Sequence, residues 1–205
     1  MQEEKLSFLE YILLIISIAI VPLCFILVGD ALVSMIWPHP EMLFQMYAER
    51  ILFMTVSLGV YSFLRKSQII NLKTKNISFV EHIIVYMVQI LLIFMFIRVF
   101  LNINEDSVYL VLFIMLNYLI AWEEEFVYRL MIPNLLQKVF SSNIIIFFLQ
   151  AIIFSYIGHI GSSFADNLIY RFSFSFLLYY LRCKTGNIIC STSLHALWNI
   201  FLNYI

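Results

Sequence analysis

The stretch Val108–Ile132, VYLVLFIMLNYLIAWEEEFVYRLMI, is apolar on both sides of Glu123-Glu124-Glu125. A helix needs about 20 mostly apolar residues to cross a bilayer, and this stretch is long enough. It also holds three consecutive carboxylates and Arg129. Each such charge costs at least about 2.5–3.5 kcal/mol at mid-bilayer, so it is kept where it faces a partner or a cavity. The stretch therefore predicts a spanning helix with a polar face turned inward. A span ending at Trp122, with an interfacial acidic run, is the competing reading. It leaves VYRLMI unexplained, because apolar character resumes at once.

The rest of the chain agrees with that solvent. Hydrophobic residues make up 63% and charged residues 12%, against about 45–50% and about 25% in soluble domains. Twenty Phe and 12 Tyr against 12 basic and 13 acidic side chains leave too little polar surface for a water-facing globule. A formal net charge of −1 gives no sign of a nucleic-acid partner. The expected architecture is an all-α polytopic transmembrane helix bundle of about seven spans. These are Phe8–Val28, Phe44–Leu64, Val80–Leu101, Val108–Ile132, Asn143–Ile160, Phe164–Leu181 and Ile188–Ile205.

Turn and charge signals separate the spans: Gly29-Asp30 with Trp37-Pro38-His39-Pro40, then Arg65 to Ser78, Asn102–Ser107, Pro133–Ser142, Gly161–Asn167 and Arg182–Asn187. Basic residues in short loops stay cytoplasmic. Arg65, Lys66, Lys73 and Lys75, then Lys138, then Arg182 and Lys184 fall on one side if the N-terminus, with Lys5, is inside and the C-terminus outside. The start MQEEKLSFLE is mixed in charge and no small-residue cleavage site follows it, so the first apolar run reads as a retained helix. Cys24, Cys183 and Cys190 show neither disulfide nor zinc-knuckle spacing.

Within these apolar runs the polar residues stand out. In a helix Glu125 and Arg129 sit four apart, within ion-pair reach, while Glu124 lies about 100° round from Glu125. Ser155-Tyr156-Ile157-Gly158-His159 closes the fifth span. Leu194-His195-Ala196-Leu197-Trp198-Asn199 lies inside the last, with His195 and Asn199 on one face. Such a pair either joins helices by hydrogen bonds or does chemistry. His39 and His82 lie near loop edges in ordinary surroundings. Arg98 and Arg171 lie near span ends, where a long side chain snorkels to the headgroups, and Arg171 is also placed to act as an internal counter-ion.

A carboxylate, two imidazoles and a carboxamide in a dry cavity are the parts of a hydrolytic site. A glutamate takes a proton from water, and a histidine helps to hold that water. A second histidine and an asparagine donate to the oxyanion that forms on a peptide carbonyl. The same parts offer a divalent metal such as zinc three ligands, Glu124, His159 and His195, and then the metal activates the water. Both mechanisms fit the sequence. A proton- or ion-coupled transporter is a further reading, which calls for polar residues along a path and for Gly/Pro-broken helices.

Glu124-Glu125-Phe126-Val127-Tyr128-Arg129 reads as EExxxR, and His195-Ala196-Leu197-Trp198-Asn199 as HxxxN, with a helix ending at His159 between them. In that order the motifs resemble the CAAX-protease and bacteriocin-processing family of intramembrane proteases, also called the Abi family. The turn Lys184-Thr185-Gly186-Asn187-Ile188 is similar to the family's entry into its last core helix. The likeness covers about Leu110 to Leu202. It implies Glu124 as the base that activates water, Glu125 and Arg129 as its support, His159 sharing the water, and His195 with Asn199 at the oxyanion. Glu123-Glu124 also makes a pair, but only Glu124-Glu125 has the family's distance to Arg129.

Two departures from the family pattern stand in the sequence. The family commonly places Phe four residues before the histidine of its second motif; here Ser155 stands there, with Phe154 one step earlier. No hydrophobic span follows Asn199. Simple counting also puts Glu124 toward the cytoplasmic end of its span and His159 toward the outer end of its own, so meeting requires a tilted or broken fifth helix, or one that starts as early as Gln137.

The expected division is 1–106, the first three transmembrane helices with a cytoplasmic loop over 65–78, and 107–205, a catalytic core of helices four to seven. The resemblance implies an intramembrane endopeptidase acting on a membrane-associated peptide or protein. The apolar runs imply a multi-pass cell-membrane setting, Arg-poor, Ile/Phe/Asn/Lys-rich usage points to a bacterial source, and the expected topology puts the cut near the cytoplasmic face. Peptide pheromones, bacteriocin leaders and membrane proteins are the expected substrates there. A non-catalytic immunity-type partner built on the same fold is the alternative. The expected partners are the substrate and the bilayer, and nothing in the sequence sets an oligomeric state.

Overall fold

Ser7 starts the first helix with a reciprocal cap: its hydroxyl accepts from the Glu10 backbone N–H at 3.4 Å, and the Glu10 carboxylate accepts from the Ser7 N–H at 2.6 Å. In the computed structural model this helix, α1, runs Phe8–Ile36. The structure describes residues 6–70, 107–161 and 163–204, together with Phe79, Ile83, Tyr86, Met87, Gln89, Ile90, Ile93 and Phe94, which are helical. Most of the expected third span, most of the 65–78 loop, and Lys5, His82, Arg98, Glu105 and Asp106 lie outside the described residues.

Helix α2 is Met42–Lys66, closed by Ser67 and by Gln68 in the left-handed region at φ 59°. Helix α3 runs unbroken over residues 107–139: an α-helical piece Ser107–Glu125, a π-helical turn Phe126–Met131 and an α-helical piece Ile132–Val139. Pro133 sits in the first turn of that last piece, where its missing N–H costs least. Helix α4 is Asn143–Ile152 continued by a π-helical turn Ile153–Ile157. Helix α5 is Phe164–Asp166, a π-helical turn Asn167–Phe172, and Ser173–Thr185, ended by Gly186 at φ 73°. Helix α6 is Ile189–Tyr204. Among the described residues every regular element is helical.

Two expected boundaries move. Gly29-Asp30 does not end the first helix, which continues to Trp37. Gly29 serves packing instead: a Cβ there would lie 3.0 Å from the Glu49 Cα, so its absence lets α1 and α2 touch backbone to backbone. Asp30 accepts from the Gln45 side chain across the same seam. The expected turn over Pro133–Ser142 shrinks to residues 140–142, because the helix carries on through Pro133, which directly follows the π turn, as far as Val139. Glu124 therefore lies near the middle of α3.

Helix α1 packs on α2 and on the Ile132–Val139 piece of α3. The Ser107–Glu125 piece of α3 is flanked by α2 on one side and α6 on the other, and α5 packs on α4 and α6. The core runs along α3, from Phe126 to Ile132, against Ile15, Ala19, Phe53 and Phe154.

The molecule is apolar outside and polar within. Leu13, Leu27, Phe63, Val111, Leu177 and Phe201 are exposed, whereas Glu123, Glu125, Arg129, Gln150, Ser175 and His195 are buried. That inversion is the arrangement lipid requires. By length and composition one helix among the described residues, Phe8–Ile36, is long and apolar enough to cross a membrane; Asn143–Ile157 and Ile189–Leu202 are apolar but shorter. The all-helical expectation holds, and the count of seven spans rests on the sequence.

Gly29→Leu is expected to destabilise the chain by about 1–3 kcal/mol through overpacking of the α1–α2 seam. Gly59, whose Cβ position meets nothing within 4 Å, is the control: Gly59→Leu leaves that seam alone. Thermal melting of both variants in detergent makes the comparison.

Candidate active site

Three successive helical residues point about 100° apart, so Glu123, Glu124 and Glu125 leave α3 in three directions and meet different combinations of partners. Glu123 is fully buried and pairs with Arg50 of α2, at 2.8 Å. Glu124 is half-buried, with Oε2 3.6 Å from His195 Nε2. Glu125 is fully buried; its Oε1 accepts from His195 Nδ1 at 3.0 Å and lies 3.4 Å from Arg129 Nε. His195, on α6, is thus held between two carboxylates of α3.

Arg129 has no exposed surface. Besides Glu125 it donates to the Ser175 hydroxyl at 3.2 Å, and Ser175 in turn donates to Gln150 Oε1 at 3.2 Å. Its guanidinium also lies 3.7 Å over the centre of the Phe154 ring, an attraction strengthened by the absence of water. A cation that could not leave the interior is thereby tied to α3, α4 and α5 together.

His159 follows the π turn of α4. Its Nδ1 donates to the Phe154 carbonyl at 3.0 Å; a carbonyl only accepts, so Nε2 keeps the lone pair. The Phe154 ring stands edge-on to both imidazoles, 4.7 Å from His159 and 6.0 Å from His195. The Glu124 carboxylate lies 3.6 Å from His195 Nε2 and 3.9 Å from Arg50 Nη1, and the Phe154 ring links His195 to His159. The mid-helix position of Glu124 and the short, π-ended helix that carries His159 bring both to one cluster.

A cavity of about 470 Å³ lies beside this cluster, lined by His159, His195 and Asn199 and walled by Phe154, Phe174 and Trp198. Arg171 also borders it, half-buried and donating to Asn167 Oδ1 at 3.1 Å. It faces the interior rather than only the headgroups. Asn199 lies one turn beyond His195 along α6.

The metal alternative finds no converging donor set. Among the described residues no three His, Cys, Asp or Glu side chains are grouped to hold an ion.

Residues 106–201 match the family model described as type II CAAX prenyl endopeptidase, Rce1-like. The match covers a little under half of the chain and marks this segment as similar to that family. No curated protein and no solved structure matches the chain.

One departure from the CAAX-protease pattern has a structural answer. A π turn holds one residue more than an α turn. Gly158 N–H bonds to the Ile153 carbonyl, five residues back, at 3.1 Å. The extra residue in Phe154-x-x-x-x-His159 is taken up by that wider turn, and the phenyl ring packs on the imidazole.

Three members of the cluster carry no motif in the sequence: Arg50, Gln150 and Ser175. Gln150 sits in the otherwise apolar run IIIFFLQAIIF, and Arg50 lies inside the second apolar stretch. The available signal was the same for both, a strong polar group deep in an apolar stretch.

Arg129→Met is expected to cost about 3–5 kcal/mol by leaving Glu125 without its cation, and Ser175→Ala about 1 kcal/mol. Melting temperatures in detergent rank the two; equal shifts would show that Arg129 is not the keystone of the cluster.

Proposed function

We propose that the chain is an intramembrane endopeptidase that hydrolyses a peptide bond of a membrane-associated peptide or protein, with Glu124 as the general base. The observation that carries this reading is the convergence of Glu124, Glu125 and His195, from helices 70 residues apart in sequence, beside a cavity that also holds His159 and Asn199.

The division of labour follows from the partners. Glu125 is committed to Arg129 and His195, and Glu123 to Arg50, so Glu124 alone of the three carboxylates is left beside the cavity cluster to take a proton from water. His159, with Nδ1–H given to a carbonyl, offers Nε2 as an acceptor and helps to hold that water on Glu124. Attack on the scissile carbonyl places negative charge on its oxygen. The amide of Asn199 and the Nε2–H of a protonated His195 are the donors for that charge, in a site where little water competes. Glu124 then returns the proton to the leaving amine. No step calls for a nucleophilic side chain.

The aromatic wall of Phe154, Phe174 and Trp198 suits an apolar segment flanking the cleaved bond. The basic last turns of α2, α3 and α5, with Arg65 and Lys66, Lys138, and Arg182 and Lys184, support a cytoplasmic position for those helix ends. The seven-span topology and a cut near the cytoplasmic face are part of the same proposal.

The test is cleavage of a pool of membrane-associated peptides by the purified protein in detergent, with Glu124→Ala and His195→Ala checked for unchanged melting. Each variant is expected to lose at least about 10²-fold, the size of a lost base or oxyanion donor. Variants that cut as fast as the parent would remove these residues from the reaction. Insensitivity of the parent to chelators is the expected companion result.

A further inference from the structure

Glu123 is the carboxylate that neither the EExxxR pattern nor the proposed reaction uses, yet it is wholly buried. An isolated charge there would be untenable. Its partner, Arg50, comes from α2, outside the 106–201 segment that carries the family match. Arg50 Nη1 lies 2.8 Å from Glu123 Oε1 and 3.9 Å from Glu124 Oε1, so one guanidinium nitrogen spans both carboxylates. The Arg50 side chain is only 20% exposed, which spares the pair much of the screening that weakens surface bridges.

We propose that Arg50 is a positioning residue of the active site, acting from the N-terminal helices through Glu123 to fix the rotation of α3, and with it the aim of Glu124 at His195 and the cavity. The inference rests on Glu124 being the base. Successive helical side chains are rigidly offset, so pinning Glu123 on the α2 side sets the direction of Glu124 beside it. The link has support along the same two helices: the Tyr47 hydroxyl donates to the Leu112 carbonyl at 2.6 Å, and the Tyr61 ring stands edge-on to Phe126 at 5.3 Å. The helices before residue 106 then contribute more than a membrane anchor, because the site is oriented from their side.

Two readouts separate the claims. Melting in detergent is compared for Arg50→Met, Glu123→Gln and the double variant. Each single change strands a buried charge or polar group and is expected to lower Tm by at least about 6 °C, and the double variant to recover much of it. Singles that melt with the parent would overturn the pair. Kinetics on quenched-fluorescent peptides with an apolar stretch then test positioning. Arg50→Met is expected to lose about 10²-fold in kcat with little change in KM, as for a displaced catalytic group, and Arg50→Lys, which keeps the charge, to recover most of it. A kcat for Arg50→Met within twofold of the parent would leave Arg50 merely structural and overturn the proposal. Full activity in Glu124→Gln would instead strike down the base assignment, while the Tm coupling still reports on the pair. A parent that cuts no peptide overturns the protease reading and the catalytic part of this one together.

Discussion

A fully buried carboxylate, Glu125, holds two partners at once: the Arg129 guanidinium along its own helix and the His195 imidazole on α6. Without the arginine, two carboxylates would face one imidazole inside an apolar bundle, an unfavourable excess of negative charge. With it, the charges nearly balance. Ser175, Gln150 and the Phe154 ring then hold the arginine from α4 and α5. Four helices converge on this one ion pair, which shares His195 with the neighbouring Glu124.

The surrounding polar groups follow a simple division. Three adjacent glutamates on one turn would repel one another if they shared a space. The helix sends them apart, and each meets its own set of partners: Arg50 of α2 for Glu123, Arg50 more distantly and the His195 imidazole for Glu124, and Arg129 with His195 for Glu125. A run that looks redundant in the sequence is three separate environments spaced by helical geometry. The π turns in α3 and α4 carry Arg129 and Phe154, and the turn in α5 carries Arg171, so the places where the helices widen hold side chains of the cluster and of the cavity lining.

Much of this was legible in the sequence, for reasons that can be named. The all-helical architecture followed from long apolar runs, and Glu124, Glu125, Arg129, His159, His195 and Asn199 announced themselves by their cost in an apolar setting. The structure gathers these six around or beside one cavity. Arg50, Gln150 and Ser175 stayed hidden because a single polar residue in an apolar run has no periodic signal, and its partner lies far off in the chain. Gly29 was read as a turn because glycine serves turns and close helix contacts alike. Helix widening was also invisible: nothing in IFSYIGH distinguishes a π turn from an α turn before the neighbours are known. Span counting is the weakest link, since the charges that mark the site also lower the apolar score of the helices that carry it.

The wide turn before His159 bears on how such chains are recognised. Aligned by strict spacing, the position expected to hold phenylalanine falls on Ser155, a buried hydroxyl, and the motif reads as degraded. In space, it is Phe154 whose ring packs on His159. A residue inserted within a helix need not break an active site when the helix absorbs it in one turn and returns to register. Divergent chains of this class are therefore better compared by which ring touches which imidazole than by the number of letters between them.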